Sequence, residues 1–170
     1  MPTLPLTDDH LVIRTDFSDQ AAWDAVRDDL GKTWDDEFEI AVEIIDDPAF
    51  DGLAPEQFLA MQPEDYPHSV VVLADKETMT SPDRLLLVVS LEISDQDYEA
   101  EMRASGDWDE EWAAEGRGWE NGWPQRGGTF RSTAPGVGSI TANLSIANMD
   151  LCEFATAVDD EGVFRNFEDD

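Results

Sequence analysis

The sequence predicts a single compact domain of the α/β or α+β type, a three-to-five-stranded sheet flanked by helices. Three observations carry that prediction. Two near-continuous apolar runs, Ser69-Val-Val-Val-Leu-Ala and Arg84-Leu-Leu-Leu-Val-Val-Ser-Leu-Glu-Ile, have the length and branched content of strands covered on both faces. Around them lie amphipathic stretches with capping residues at helix spacing. The chain has 170 residues, 41% of them apolar, enough for one domain burying roughly 70% of its unfolded surface.

In chain order, Leu11-Val-Ile begins a short strand, and Asp16-Phe-Ser leads into a helix. Ser18 is a good N-cap, Asp19 favours the positive helix end, and Gly31 closes the C-terminus. Ala22, Trp23, Val26 and Leu30 share one face of that helix. Phe38-Glu-Ile-Ala-Val-Glu-Ile-Ile alternates and then turns apolar, which reads as a half-buried strand. Asp46-Asp-Pro-Ala-Phe-Asp-Gly is turn chemistry. Pro55 then opens a short helix through Phe58, Leu59 and Met61. Residues 75–82, between the two apolar runs, suit a turn or one helical turn. Near the C-terminus, Asp150-Leu-Cys-Glu153 starts a short helix with Leu151, Phe154, Ala155 and Val158 on its apolar face. The Asp159-Asp-Glu-Gly162 turn releases Val163-Phe-Arg-Asn-Phe as an edge strand or docked tail, and residues 168–170 read as a frayed acidic end.

Residues 94–128 differ in style and read as an acidic, Trp- and Gly-rich insertion in the domain. Ser94 can cap a helix holding Tyr98 and Met102, and Asp107 with Glu110 can cap another holding Trp108 and Trp112. Gly116, Gly118, Gly122, Pro124, Gly127 and Gly128 then force a loop interrupted by Trp119 and Trp123. Four of the six tryptophans lie in this stretch, so they pack on the domain or anchor a partner. Trp108, Trp112, Trp119 and Trp123, with Asp107 and Glu111, are the candidate interaction residues.

Charge narrows the function classes. Forty Asp and Glu face ten Lys and Arg, a net of −30. Residues 1–93 hold 22 acids and 5 bases, residues 94–126 hold 10 and 3, and residues 127–170 hold 8 and 2. The acid therefore belongs to the folded body rather than to a tail. Such a surface repels phosphate backbones and anionic lipid, which argues against direct nucleic-acid or membrane partners. Solubility in a salt-rich cytosol, recognition of a basic partner and mimicry of nucleic acid are the three readings of the excess. The single cysteine, Cys152, forms no intramolecular disulfide, and the start Met1-Pro-Thr-Leu-Pro-Leu-Thr-Asp-Asp is no signal peptide. The expected location is the cytoplasm.

No motif points to catalysis, a cofactor or a metal. His10 follows Asp8 and Asp9, a spacing a metal can use but one common on surfaces, and His68 reads as a strand-edge polar residue. Cys152 beside Leu151 and Phe154 reads as a small buried apolar group. Asp46, Asp47 and Asp51 lack the alternation of a calcium loop, and Asp159, Asp160 and Glu161 read as a solvated turn. Gly136-Val-Gly138 lacks the third glycine and the lysine of a phosphate-binding loop.

Three strings carry a resemblance: Leu11-Val-Ile-Arg-Thr-Asp-Phe-Ser-Asp with Trp23; residues 42–52; and Asn143-Leu-Ser-Ile-Ala-Asn-Met-Asp with the closing Gly162-Val-Phe-Arg. They resemble an uncharacterised family of small actinobacterial single-domain proteins built on a domain of unknown function. The likeness covers about 10–93 and 128–167, and implies a compact bacterial cytosolic domain with no known activity or cofactor. Were these strings to converge, Arg14, Asp16, Arg131, Asn143 and Asn148 would form a polar cluster.

The function expected first is a non-enzymatic acidic binding protein for a basic macromolecule, as an immunity protein or antitoxin is. In that reading the tryptophans anchor the partner and the carboxylates steer it. A DNA-mimic inhibitor of a nucleic-acid-binding protein and a domain with a small-ligand or enzymatic pocket are the alternatives.

Overall fold

The computed structural model describes residues 4–31, 33–34, 38–63, 66, 68–91, 100, 102–106, 110, 129–146, 154 and 157–165. Its strands are β1 (His10–Arg14), β2 (Thr33–Trp34), β3 (Phe38–Glu39), β4 (Val42–Ile45), β5 (Val70–Ala74), β6 (Leu86–Ser90), β7 (Thr129–Ser132) and β8 (Val163–Phe164). The helices are α1 (Gln20–Gly31), α2 (Pro55–Met61), α3 (Lys76–Thr80) and α4 (Ala134–Ser145). One mixed sheet runs in the order β4-β1-β5-β6-β7-β8, and β2 and β3 form a separate antiparallel pair. The main sheet has six strands, where three to five were expected. The strand not anticipated is β7, whose sequence Thr-Phe-Arg-Ser is too short and too polar to stand out. The closing Val163-Phe164 pair is thus an edge strand, parallel to β7.

The central strands explain the layers. All five residues of β1, of β5 and of β6 are buried, as a strand covered on both faces requires. Alternation then splits their side chains between two cores. Val12, Val70, Val72, Leu86 and Val88 pack on Trp23, Val26 and Leu30 of α1 and on Val137 and Ile140 of α4. Leu11, Ile13, Val71, Leu73 and Val89 pack on the other side against Leu4, Phe50, Phe58 and Met61.

The connections follow from this. The β1–β4 crossover runs through α1 on the first face, and the β4–β5 crossover runs through the 3-10 turn at Pro48–Phe50 and α2 on the second. Because β4 and β5 lie on either side of β1 and parallel to it, the two crossovers leave from the carboxyl ends of β1 and β4, the same end of the sheet at which β5 finishes. β6 runs antiparallel to both β5 and β7, so residues 92–128 leave and return at the opposite edge.

Local chemistry sets the helix starts. Asp19, one residue later than expected, caps α1 by accepting from the Ala22 amide at 3.0 Å, while Ser18 bonds Asp16. Thr133 caps α4 through the Gly136 amide at 3.2 Å. That helix was not evident in the sequence, since Pro135, Gly136 and Gly138 all lower helix propensity. Gly136 is needed for another reason: a Cβ there would collide with Ser132 Oγ and stand 2.8 Å from the Phe164 carbonyl oxygen. The first turn of α4 thus rests directly on the β7–β8 backbone. Gly136→Ala should destabilise the domain by about 1–3 kcal/mol in urea unfolding at neutral pH, the range for overpacking a tight site. An unchanged midpoint would show that this approach is looser.

Candidate functional site

A crevice of about 550 Å³ opens at the carboxyl ends of β1 and β5. In open α/β sheets this is where crossovers diverge and ligands are accommodated. Three loops wall it: residues 15–18 after β1, 51–53 before α2, and 75–76 after β5. Thr15 holds them together. Its amide donates to the Ala74 carbonyl and its own carbonyl accepts from the Gly52 amide, both at 2.9 Å. Gly52 sits at φ +73°, so the loop reaches Thr15 through a backbone shape that suits glycine.

Beneath this rim lies Arg14, 3% exposed. Its guanidinium donates to the Asp16 carbonyl at 3.0 Å, Gln20 Oε1 at 3.2 Å and Asp46 Oδ1 at 3.3 Å. It lies 4.2 Å from the Phe17 ring centroid and 5.2 Å from that of Trp23. Trp23 Nε1 donates in turn to Asp46 Oδ2 at 3.1 Å. The buried charge is thereby matched by a carboxylate, two ring faces and neutral oxygens, as burial demands.

On the far wall, Asp75 is fully engaged. Its carboxylate accepts from Arg131 Nη1 and Nη2 at 2.8 and 2.9 Å, and from the Thr78 amide at 3.1 Å, which caps α3. Arg131 also pairs with Glu77 at 2.6 Å. Burial alone would raise the Asp75 pKa, but the hydrogen bonds and charge of Arg131, with the bonds from Thr78, hold it below the usual carboxylate value. Asp75 therefore pins β5 and α3 to β7.

The remaining rim carboxylates lack such counterparts. Asp16 Oδ1 accepts from the Ser18 amide and hydroxyl, and Asp47 Oδ1 accepts from the Ala49 amide. Among the described residues, no Lys or Arg forms an ion pair with Asp16, Asp19, Asp47 or Asp51. Lys76 is the cationic side chain lining the crevice.

Of the polar residues singled out in the sequence, the structure joins Arg14 to the Asp16 backbone. Arg131 serves a different carboxylate pair, and Asn143 Nδ2 donates to the Ser139 carbonyl one turn back in α4 at 2.8 Å. Of the expected cluster, the structure thus joins Arg14 and Asp16 directly and gives Arg131 and Asn143 these other partners. Asn148, Asp107, Trp108, Glu111, Trp112, Trp119, Trp123 and Cys152 lie outside the described residues. Thr15, Ser18, Asp51, Asp75 and Lys76 were missed as site residues; their signal is position, immediately after a strand or ahead of the following helix. Among the described residues no group of three or more His, Cys, Asp or Glu is placed to hold a metal ion. No helix among them is long and apolar enough to cross a membrane.

The chain matches the family described as a domain of unknown function, DUF6924, over residues 9–167, and it belongs to that family. No curated protein and no solved structure matches it.

The Arg131–Asp75 clamp predicts a pH signature. Asp75 has a lowered folded pKa, so its stabilisation is full above its unfolded value near 3.8 and is lost as pH falls through the lower folded value. Arg131→Gln should cost about 1–2 kcal/mol at pH 7, allowing for partial exposure of the pair. That deficit should shrink as pH falls below about 3.8, where the unfolded chain takes up the Asp75 proton before folded wild type does and the clamp's advantage is progressively lost. Paired urea titrations at pH 7 and pH 3.5 measure it, and a deficit independent of pH would reject the clamp.

Proposed function

We propose that this chain is a non-enzymatic binding protein that engages a basic protein partner through the acidic crevice at the carboxyl ends of β1 and β5. One observation carries the reading. Arg14, Arg84, Arg131 and Arg165 are each held by carboxylates of the chain itself, while Asp16 and Asp51 line the cavity with no ion pair to a Lys or Arg among the described residues. A lysine or arginine side chain from a partner would meet there the carboxylates that the fold leaves open. The net charge of −30 would draw such a partner in from a distance.

In this reading residues 94–128 are an acidic insertion in a bacterial, cytoplasmic member of the family. They are rooted at the other edge of the sheet, between Leu91 and Thr129. Trp108, Trp112, Trp119 and Trp123 would then anchor a second part of the partner's surface, in the manner of aromatic hot spots.

A second reading rests on the crevice volume, about 550 Å³, which falls within the size range of small-molecule sites. It takes a small cationic ligand in place of a protein side chain.

The test uses a lysine-rich peptide as probe, with calorimetry at about 50 and 500 mM salt, where screening differs strongly. Asp16→Asn with Asp51→Asn should weaken binding by about tenfold at low salt, the effect of losing roughly 1.4 kcal/mol. Asp8→Asn with Asp9→Asn, the same charge change at the opposite edge, should change it less than about twofold. Equal losses from both pairs would mean that bulk charge, not the crevice, is recognised. Affinity unchanged by salt would reject the electrostatic reading altogether.

A further inference from the structure

The edge opposite the crevice is closed by rings. His10 begins β1 at 2% exposure, and its imidazole lies 4.2 Å, centroid to centroid, from that of His68, tilted by 35°. Tyr66, also buried, stands edge-on to His68 at 5.4 Å. Among the described residues nothing hydrogen-bonds His10 Nδ1 or the Tyr66 hydroxyl. Orphaned buried polar atoms are uncommon and demand a reason.

His68 reaches the chain that precedes the sheet. Its Nε2 lies 2.9 Å from the Thr7 carbonyl and, as the protonated nitrogen, donates to it. Leu4, buried in the second core, fixes the other end of that segment, its amide donating to the Met61 carbonyl at 3.4 Å. Residues 4–9 are thus held by an apolar side chain and an imidazole.

We propose that the His10–His68 pair is a proton-operated latch: with His10 neutral it keeps residues 4–9 on the sheet, and with His10 protonated against His68 it releases them. Two imidazolium rings at this separation repel, and one of them would be charged in a dry site.

The surroundings offer little to offset those charges. On its own chain His10 follows Asp8 and Asp9, both exposed in the turn before β1. The segment ahead of β5 supplies Tyr66 and His68. From β4, Val42 pairs with His10, and the exposed Glu43 pairs with Leu11. The end of β6 brings Ser90 and Leu91, the latter donating to the Ser69 carbonyl. Among the described residues, the charge acting on His10 is that of His68.

Burial, and then the His68 charge, lower the His10 pKa to about 4. An exposed imidazole titrates near 6.5, so between these values the released form binds more protons and acid favours it. For a release that brings His10 to solvent, that linkage makes opening roughly 75-fold more favourable at pH 4.5 than at pH 8.

The experiment is amide exchange by NMR on the intact chain, expressed as protection factors from pH 8 to pH 4.5. The Leu4 amide, bonded to the Met61 carbonyl, reports on residues 4–9, and residues 71–73 of β5 are read separately. In wild type, Leu4 protection should fall by about 50–100-fold while β5 keeps its own. His10→Phe retains a ring against His68 without a titrating nitrogen, and its Leu4 protection should change less than about threefold. His10→Met gives the same readout should the Phe variant fold poorly. Loss of protection in the neutral variants parallel to wild type, or joint opening of β5 with 4–9, would overturn the latch.

Discussion

A strand covered on both faces has no place for charge along its length, so charged groups must collect at its ends or on the outer faces of its helices. That constraint organises this molecule. With 40 acidic residues in 170 and three central strands fully buried, the loops after β1, β4 and β5 carry Asp16, Asp46, Asp47, Asp51 and Asp75. The crevice exists because the crossovers that leave β1 and β4 pass to opposite faces of the sheet. It is acidic because the strand interiors cannot be.

Carboxylates so concentrated would repel one another without fixed cations among them, and the few arginines act as pins between elements. Arg14 ties the end of β1 to the end of β4 through Asp46. Arg131 ties β7 to the β5–α3 junction through Asp75 and Glu77. Arg84 donates to both carboxylate oxygens of Asp29 on α1, at 2.6 and 3.2 Å, from a backbone held at φ +50°. A left-handed conformation costs a non-glycine residue on the order of 1 kcal/mol, a cost that two charge-assisted bonds can offset. Each of these pairs joins segments distant in sequence. They restrict which arrangements of loops around the sheet are open to the chain more than they add to its stability.

The parts of the fold legible in the sequence are those where one residue's environment repeats down an element. β5 and β6 declare themselves by continuous branched apolar residues, and α1 by Trp23, Val26 and Leu30 on one face. β7 does not, because Thr129 is exposed and Arg131 is committed to a salt bridge rather than to packing. α4 is hidden for the opposite reason: Gly136 lowers helix propensity yet is what lets the helix rest on β7 and β8. The crevice is legible only in retrospect. Its residues share a position at strand ends and not a pattern, and Thr15 acts through its backbone, which side-chain identity does not reveal.

The two edges of the sheet end up as different media. At the carboxyl edge, exposed carboxylates and clamped guanidiniums keep the surface hydrated. At the other, the rings of His10, Tyr66 and His68 close the core. Residues 92–128 join the sheet at this second edge, where β6 and β7 nevertheless keep an unbroken register from Leu86 opposite Ser132 to Val89 opposite Thr129. A long connection between paired strands adds closure entropy only logarithmically, so it need not disturb their pairing when each strand has another partner. Here β6 is secured by β5, and β7 by β8 and by the Arg131–Asp75 clamp. That clamp sits at the carboxyl edge, at the far end of β7 from the long connection. The charges that shape the crevice therefore also hold in place the strand to which the Trp-rich segment returns.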